Sequence, residues 1–215
     1  MILDPTLTAA YVVLAAAMAF SPGPDVMFVV ANAMRHQVKG AVASALGICV
    51  GSLVHALAAA LGVSAIIAAS PLAFQIMKYL GAVYLAFLGI QALIAFFKKS
   101  DSKLELQTAQ QISARQIFFR ALITNLLNPK VIIFYLALLP QFVSVKLGFV
   151  GLQIFLLGSI HAGIGLAFLV VVGLMAGRAA GWLQTTSAGR WLDGLAGVFF
   201  LGLAIRLALT GRAEG

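Results

Sequence analysis

Charged residues are scarce in this chain of 215 residues. Only 9% of its residues are charged, whereas 62% are hydrophobic. Soluble domains carry roughly a quarter of their residues as charges. The chain therefore has too few polar side chains to cover a water-soluble surface, and its composition predicts an integral membrane protein.

Cysteine is almost absent, and the sequence has neither a histidine-rich segment nor a cluster of acidic residues. The single Cys49 excludes an intramolecular disulfide and argues against membrane proteins that shuttle thiols, which need a cysteine pair. The net charge of +8 comes without a dense basic patch interleaved with aromatic residues. Nucleic acid, a metal centre and a bound cofactor are therefore not predicted.

Six apolar runs are each close to the roughly 20 residues that cross a bilayer as a helix. Their approximate limits are 7–34, 41–69, 72–97, 117–139, 148–174 and 191–210. The one substantial polar stretch, residues 98–116, is too short to form a domain. We therefore expect a single all-α transmembrane domain over residues 1–215, with halves at about 1–97 and 117–215 joined by a cytoplasmic linker.

Proline interrupts two of these runs beside a charged residue. The first run contains Ser21, Pro22, Gly23, Pro24 and Asp25, and the fourth contains Asn128, Pro129 and Lys130. Proline removes a backbone donor and clashes with the carbonyl four residues earlier, so each helix should open there. In hydrocarbon, freed backbone groups are tolerated only where protein or a water-filled cavity satisfies them. Matching interruptions in two halves predict a transporter with its substrate site between the broken helices.

Three pairs of features recur in the same order in the two halves. They are Pro22 with Pro129, the segment 51–55 with 158–161, and Gly81 and Gly89 with Gly194 and Gly202. Because each half holds three runs, an odd number, the second half enters the membrane the opposite way round. The pattern predicts a 3+3 inverted repeat.

Basic residues are distributed unevenly between the two sides that six spans define. Nine lie in or beside the first, third and fifth loops, and four lie on the opposite side. Because cytoplasmic loops carry an excess of Lys and Arg, this count predicts a cytoplasmic linker and both termini in the periplasm.

Asp25 and Lys130 are the charged side chains deepest in the spans. An unpaired charge at the bilayer centre costs at least about 2.5–3.5 kcal/mol. Asp25 is suited to bind an ammonium group or carry a proton, while Lys130 and the helix restarting after Pro24 are suited to a carboxylate. The alternative is a static Asp25–Lys130 ion pair that only holds two kinked helices together.

Four further polar residues are candidates for a transport pathway or a proton relay. His55 and His161 occupy equivalent positions in the two halves and could relay protons, ligate a metal, or simply bond a neighbouring span. Asn32 lies seven residues beyond Asp25 and should share its face, and Asn125 precedes the second break. Ala43, Gly47, Gly51 and His55 recur every four residues and share a helix face, which favours close helix packing, with lining a pathway as the alternative.

At these residues the chain resembles the LysE/RhtB family of amino acid exporters. The matching elements are Ser21–Asp25, Gly47-x3-Gly51-x3-His55, Tyr79-Leu80-Gly81-x2-Tyr84-Leu85-x3-Gly89, and Leu122–Lys130 continuing through Phe134 to Leu139–Phe142. The resemblance implies a homodimeric exporter of amino acids or close derivatives in a bacterial inner membrane, driven by the proton motive force. Two alternatives from the residues themselves are an exporter of divalent metals or other small cations and a structural membrane subunit. An enzyme is not predicted, because no nucleophile–base or carboxylate pair lies within the spans.

Overall fold

The computed structural model describes residues 2–21, 23–69, 71–97 and 112–185, together with the helical positions Val198, Leu201, Gly202, Ala204, Ile205 and Ala208. Every regular element in these ranges is a helix, so the all-α class is confirmed. Pro22, most of the linker and most of the sixth run, including Gly194, lie outside the described residues.

Six α-helices and three shorter helical turns follow one another along the described chain. The α-helices are α1 (Pro5–Phe20), α2 (Pro24–Ala69), α3 (Pro71–Phe97), α4 (Ala114–Leu126), α5 (Pro129–Ile133) and α6 (Val150–Thr185). A π-helix (Phe134–Leu138) and two 3₁₀ turns (Leu139–Phe142 and Val145–Leu147) connect α5 to α6. Within the described ranges, Pro24–Gly62 and Val150–Ala176 are long and apolar enough to span a membrane by length and composition alone, although the first is divided by a turn at Gln37. The bent pair of α4 and the segment Pro129–Phe142 forms a third candidate.

Both predicted proline breaks are present. α1 ends at Phe20 and α2 begins at Pro24, so the first run is opened at its prolines. α4 ends at Leu126, α5 begins at Pro129, and the fourth run bends by 53°. Asn128 caps the restarted helix, because its side chain accepts a hydrogen bond from the Lys130 backbone N–H at 3.1 Å. Each break therefore follows from the backbone chemistry of proline.

Within α2 the chain folds back at Gln37. This residue has φ 53° and ψ −140°, outside the helical region. Gly40 lies directly against the Asn32 carbonyl, and Gly173 of α6 contacts both Val29 and Ala41. A straight helix would separate residues twelve apart by about 18 Å. Therefore α2 consists of two antiparallel arms, residues 24–36 and 38–69, which correspond to the end of the first predicted span and to the second.

Glycines let the second arm of α2 pack closely between α4 and α6. Gly47 lies against the Phe118 carbonyl, and a methyl group at Gly51 would be 2.6 Å from the Asn125 Oδ1. Residue numbers increase together along the two helices in these contacts, so the second arm is parallel to α4. The packing role predicted for the glycine face is therefore confirmed.

The contacts between the second arm and α6 run in the opposite sense. A methyl group at Gly158 would be 2.5 Å from the Ala56 Cβ, and one at Gly173 would be 2.7 Å from the Ala41 Cβ. The contacted residue number in α2 decreases as the residue number in α6 increases. The two helices are therefore antiparallel.

The segment between the fourth and fifth spans is held by a residue that the sequence did not single out. Gln153 is buried; its Oε1 accepts from the Ser144 N–H at 3.0 Å, and its Nε2 donates to the Ser144 carbonyl at 2.9 Å and the Gly148 carbonyl at 2.6 Å. Gly148 itself has φ 68°, a conformation that glycine adopts without a steric cost. One side chain therefore satisfies three backbone groups of an irregular loop.

The close contact at Gly158 generates a stability prediction. In Gly158→Ala the new methyl group overlaps Ala56 and lies 2.9 Å from the Tyr135 ring, so the second arm and α6 have to separate. Overpacking of this kind costs about 1–3 kcal/mol. We expect a clearly lower melting midpoint in detergent, measured by fluorescence-detected size-exclusion chromatography after heating.

Gly163→Ala is the matched control on the same helix. Gly163 is exposed, and no atom lies within 4 Å of its missing Cβ. Its midpoint should stay level or rise, because alanine favours a helix more than glycine does. Equal midpoints for the two variants would contradict the close packing at Gly158.

Candidate functional site

The two proline breaks meet at the side chain of Lys130. Its Nζ donates to the Met18 carbonyl at 3.0 Å and to the Ser21 carbonyl at 2.9 Å. In a continuous helix the Met18 carbonyl would accept from the N–H of residue 22, but that residue is a proline and has no N–H. Lys130 of the second break therefore supplies donors that the first break lacks.

Asp25 is held by the residues just before the second break. Its Oδ2 accepts a hydrogen bond from the Asn125 Nδ2 at 2.8 Å, and the Asn128 side chain also lies beside this carboxylate. Its Oδ1 is buried and has no hydrogen-bond partner among the residues that the structure describes. One oxygen of the carboxylate is fixed, and the other is left for a further donor.

The direct Asp25–Lys130 ion pair considered from the sequence is not formed between these two described residues. Asp25 is bonded to Asn125, and Lys130 is bonded to backbone carbonyls of α1. The ammonium group lies with the carbonyls because the Met18 carbonyl lost its helical donor at Pro22 and the Ser21 carbonyl stands at the end of the broken helix. The two charges nevertheless face one common cavity.

That cavity has a volume of about 50 Å³ and lies between α1, both arms of α2, α4, α5, the π-helix and α6. At roughly 10–15 Å³ for each water molecule, it has room for only a few waters. Seven residues predicted for the site line it: Ser21, Gly23, Asp25, Asn125, Asn128, Lys130 and His161. Pro24 and Pro129 instead begin the helices on either side, and Pro22 lies outside the described residues.

His161 and His55 occupy different positions around this cavity. His161 is buried on the cavity wall, its ring centroid is 4.4 Å from that of Phe134, and its Nδ1 has no partner in the described part of the chain. His55 does not line the cavity; its Nε2 lies 3.3 Å from the Asn125 carbonyl, and its ring stacks on Tyr135 at 5.7 Å. It therefore contacts the residue that holds Asp25.

Asn32 is separated from the other predicted site residues. Its Nδ2 donates to the Phe28 carbonyl at 2.9 Å, one turn earlier on the same helix, and it is not part of the cavity lining. The seven-residue spacing from Asp25 follows the face of the first arm, but that arm ends a few residues later at Gln37. Asn32 therefore lies on the helix face of Asp25 but beyond the cavity.

The cavity also has walls that sequence reasoning missed. They include Ser52, Ile48, Gly165 and Leu169. Ser52 adjoins Gly51 in the repeated segment, and Gly165 and Leu169 follow His161 at intervals of four residues. A stride of four from the predicted His161 would have indicated both α6 residues.

No group of three or more His, Cys, Asp or Glu side chains in the described residues could hold a metal ion. Asp25 is the acidic residue in the cavity lining, which it shares with the amides of Asn125 and Asn128 and the ammonium group of Lys130. Hence no observation favours the metal-exporter alternative.

The family model described as "LysE type translocator" matches residues 16–211. A leucine efflux protein of Salmonella choleraesuis is 34% identical over 190 residues, covering 87% of this chain and 87% of the relative. The leucine efflux protein of Salmonella typhimurium matches equally well, at the same identity and coverage. An uncharacterized membrane protein of Bacillus subtilis, YrhP, is 28% identical over 206 residues, covering 94% of this chain and 98% of the relative. No solved structure matches the chain.

The matched region extends from α1 to the end of the sixth apolar run, and so includes both helix breaks and the cavity between them. The match confirms the resemblance seen in the motifs around Pro24 and Pro129. It also confirms that the protein is a transporter and not an enzyme. This membrane protein belongs to the LysE type translocator family.

Proposed function

We propose that this protein exports amino acids or close derivatives from the cytoplasm, driven by the proton motive force, through a site between its two broken helices. The observation that carries the proposal is the meeting of both breaks at one cavity that holds Asp25 and Lys130. The names of the relatives make leucine the first substrate to test.

The cavity offers partners of both signs for a zwitterion. The free Oδ1 of Asp25 is an acceptor for the substrate ammonium group. An ammonium side chain has three donors, and Lys130 uses two of them on Met18 and Ser21, which leaves one for the substrate carboxylate. The N-terminal end of α2 at Asp25 adds unpaired N–H groups and a positive dipole end. Both ends of an amino acid backbone thereby find a charged partner.

Proton coupling requires a group that changes its protonation during the cycle. We assign this role to Asp25, with His161 as a second candidate, because each has a buried polar atom without a partner among the described residues. Both atoms belong to residues of the same cavity wall. A proton released from one can therefore reach the other through the few waters that the cavity has room for.

Transport also requires the cavity to open. It is too small for a leucine side chain, so the broken helices have to separate before substrate enters. The bonds from Lys130 to Met18 and Ser21 join the two breaks directly and are the contacts that such a movement breaks. The described helices have the directions that alternating spans require, and from the paired proline breaks we propose a 3+3 inverted repeat as the framework of the movement.

Substitutions at the two charges test the site. Asp25→Asn keeps the acceptor for Asn125 but loses the charge and the ability to cycle a proton. Lys130→Met loses the ammonium group. We expect leucine export from preloaded cells to fall about tenfold to a hundredfold in either variant, as for the loss of a charged hydrogen bond of about 1.5–3 kcal/mol.

Lys146→Met is the matched control for Lys130→Met, because Lys146 is exposed on the second 3₁₀ turn. It should export at the wild-type rate. Folded Asp25→Asn protein that exports normally would rule out a transport role for Asp25. Lys130→Met should also lower the melting midpoint, since it leaves the Met18 carbonyl without a donor.

Orientation is tested at two exposed lysines, Lys39 after the turn of α2 and Lys146 before α6. The charge distribution predicts Lys39 in the cytoplasm and Lys146 in the periplasm. In a Cys49→Ser background, a membrane-impermeant maleimide should label Lys146→Cys in intact cells and label Lys39→Cys only after the cells are lysed. The reverse pattern would invert the topology.

A further inference from the structure

The cavity wall formed by α6 contains one position without a side chain. His161, Gly165 and Leu169 follow one another at intervals of four residues, and all three line the cavity. Residues four apart lie on one face of a helix. Gly165 is therefore a gap between an aromatic ring and a leucine side chain.

Helix packing does not require a glycine at this position. The missing Cβ atoms of Gly158 and Gly173 on the same helix would clash with Ala56 and Ala41, whereas no atom lies within 4 Å of the missing Cβ of Gly165. Gly165 also has no positive φ, so its backbone does not demand glycine. Glycine is less favourable than alanine in a helix interior, so its effect here is to leave space in the cavity.

Part of the cavity lining that includes this gap is apolar. Ile48 and Leu169 belong to one buried cluster, Val26 packs against it, and all three line the cavity. At the two breaks, Lys130 is bonded to the Ser21 carbonyl and Asp25 is bonded to the Asn125 amide. The cavity therefore combines polar groups for an amino acid backbone with an apolar wall that contains an unfilled space.

We propose that Gly165 sets the upper size limit of the substrate side chain, which lies over this glycine and against Val26, Ile48 and Leu169. This inference rests on the proposed export function and deepens it. It assigns the substrate class as neutral amino acids with apolar side chains. A larger residue at position 165 occupies the space that a large substrate needs and leaves the contacts to the amino and carboxylate groups unchanged.

The test compares Gly165→Val and Gly165→Ala with the wild type in cells preloaded with alanine, valine, leucine or phenylalanine. One methylene in an apolar pocket changes discrimination by about 10–200-fold. We expect Gly165→Val to lower leucine and phenylalanine export about tenfold or more while alanine export stays within about twofold of wild type. Gly165→Ala should give smaller decreases with the same ranking of substrates, so that phenylalanine export is affected most.

Gly163→Ala and Gly163→Val are the matched controls, since Gly163 also has open space at its Cβ but is exposed and lies outside the cavity lining. Both should keep the wild-type substrate profile. Melting midpoints identify any variant that fails to fold, and Gly165→Ala, whose methyl group meets no atom, then carries the test.

Two results would overturn the inference: an unchanged profile in a folded Gly165 variant, or an equal loss of all four substrates. A wild-type protein that exports none of the four, or only charged amino acids, would overturn the assigned substrate class. Failure of the export proposal itself is distinguishable, because it would appear as the absence of any amino acid export by the wild type.

Discussion

Backbone groups that lose their helical partners have to be satisfied inside the protein, and one lysine meets this requirement for two carbonyls at the end of α1. The Lys130 ammonium group bonds the Met18 and Ser21 carbonyls at the end of α1. Without water or lipid partners, each unsatisfied group would cost several kcal/mol. The requirement fixes the position of α5 relative to α1, and with it the position of the cavity.

The same arrangement separates the two charges that the sequence brings into the membrane. Asp25 is bonded by the Asn125 amide just before the second break, and Lys130 by carbonyls at the first. Each charge is thus partnered by neutral dipoles from the opposite half of the chain. Neither charge neutralises the other directly, which is the arrangement that our proposal of zwitterion binding requires.

The positions of the breaks could be predicted from the sequence because proline acts locally. Pro24 and Pro129 begin new helices whatever surrounds them, and Asn128 caps the second helix through its own neighbours. The partner of Lys130 could not be predicted, because it depends on which orphaned carbonyls lie within reach in three dimensions. The same is true of Gln153, which satisfies a loop whose irregular backbone no local pattern indicates.

The fold-back of α2 was expected as a loop but not as so short a turn. It contains neither glycine nor proline at its centre, and Gln37 alone leaves the helical region. Sequence signals for a turn rely on residues that tolerate unusual dihedral angles, and they are missing there. The glycine that matters is Gly40, which admits the close approach of Asn32.

This short turn has a consequence for how the protein is made. Arg35 and Lys39, both exposed, flank Gln37 at the tip of the two arms. With hardly any chain between them, the arms leave no loop long enough to be passed across a membrane separately. They should enter the bilayer together as a hairpin during synthesis, with the charged tip staying on the side where it emerged. The orientation of the whole protein would then be decided before the second half of the chain has left the ribosome.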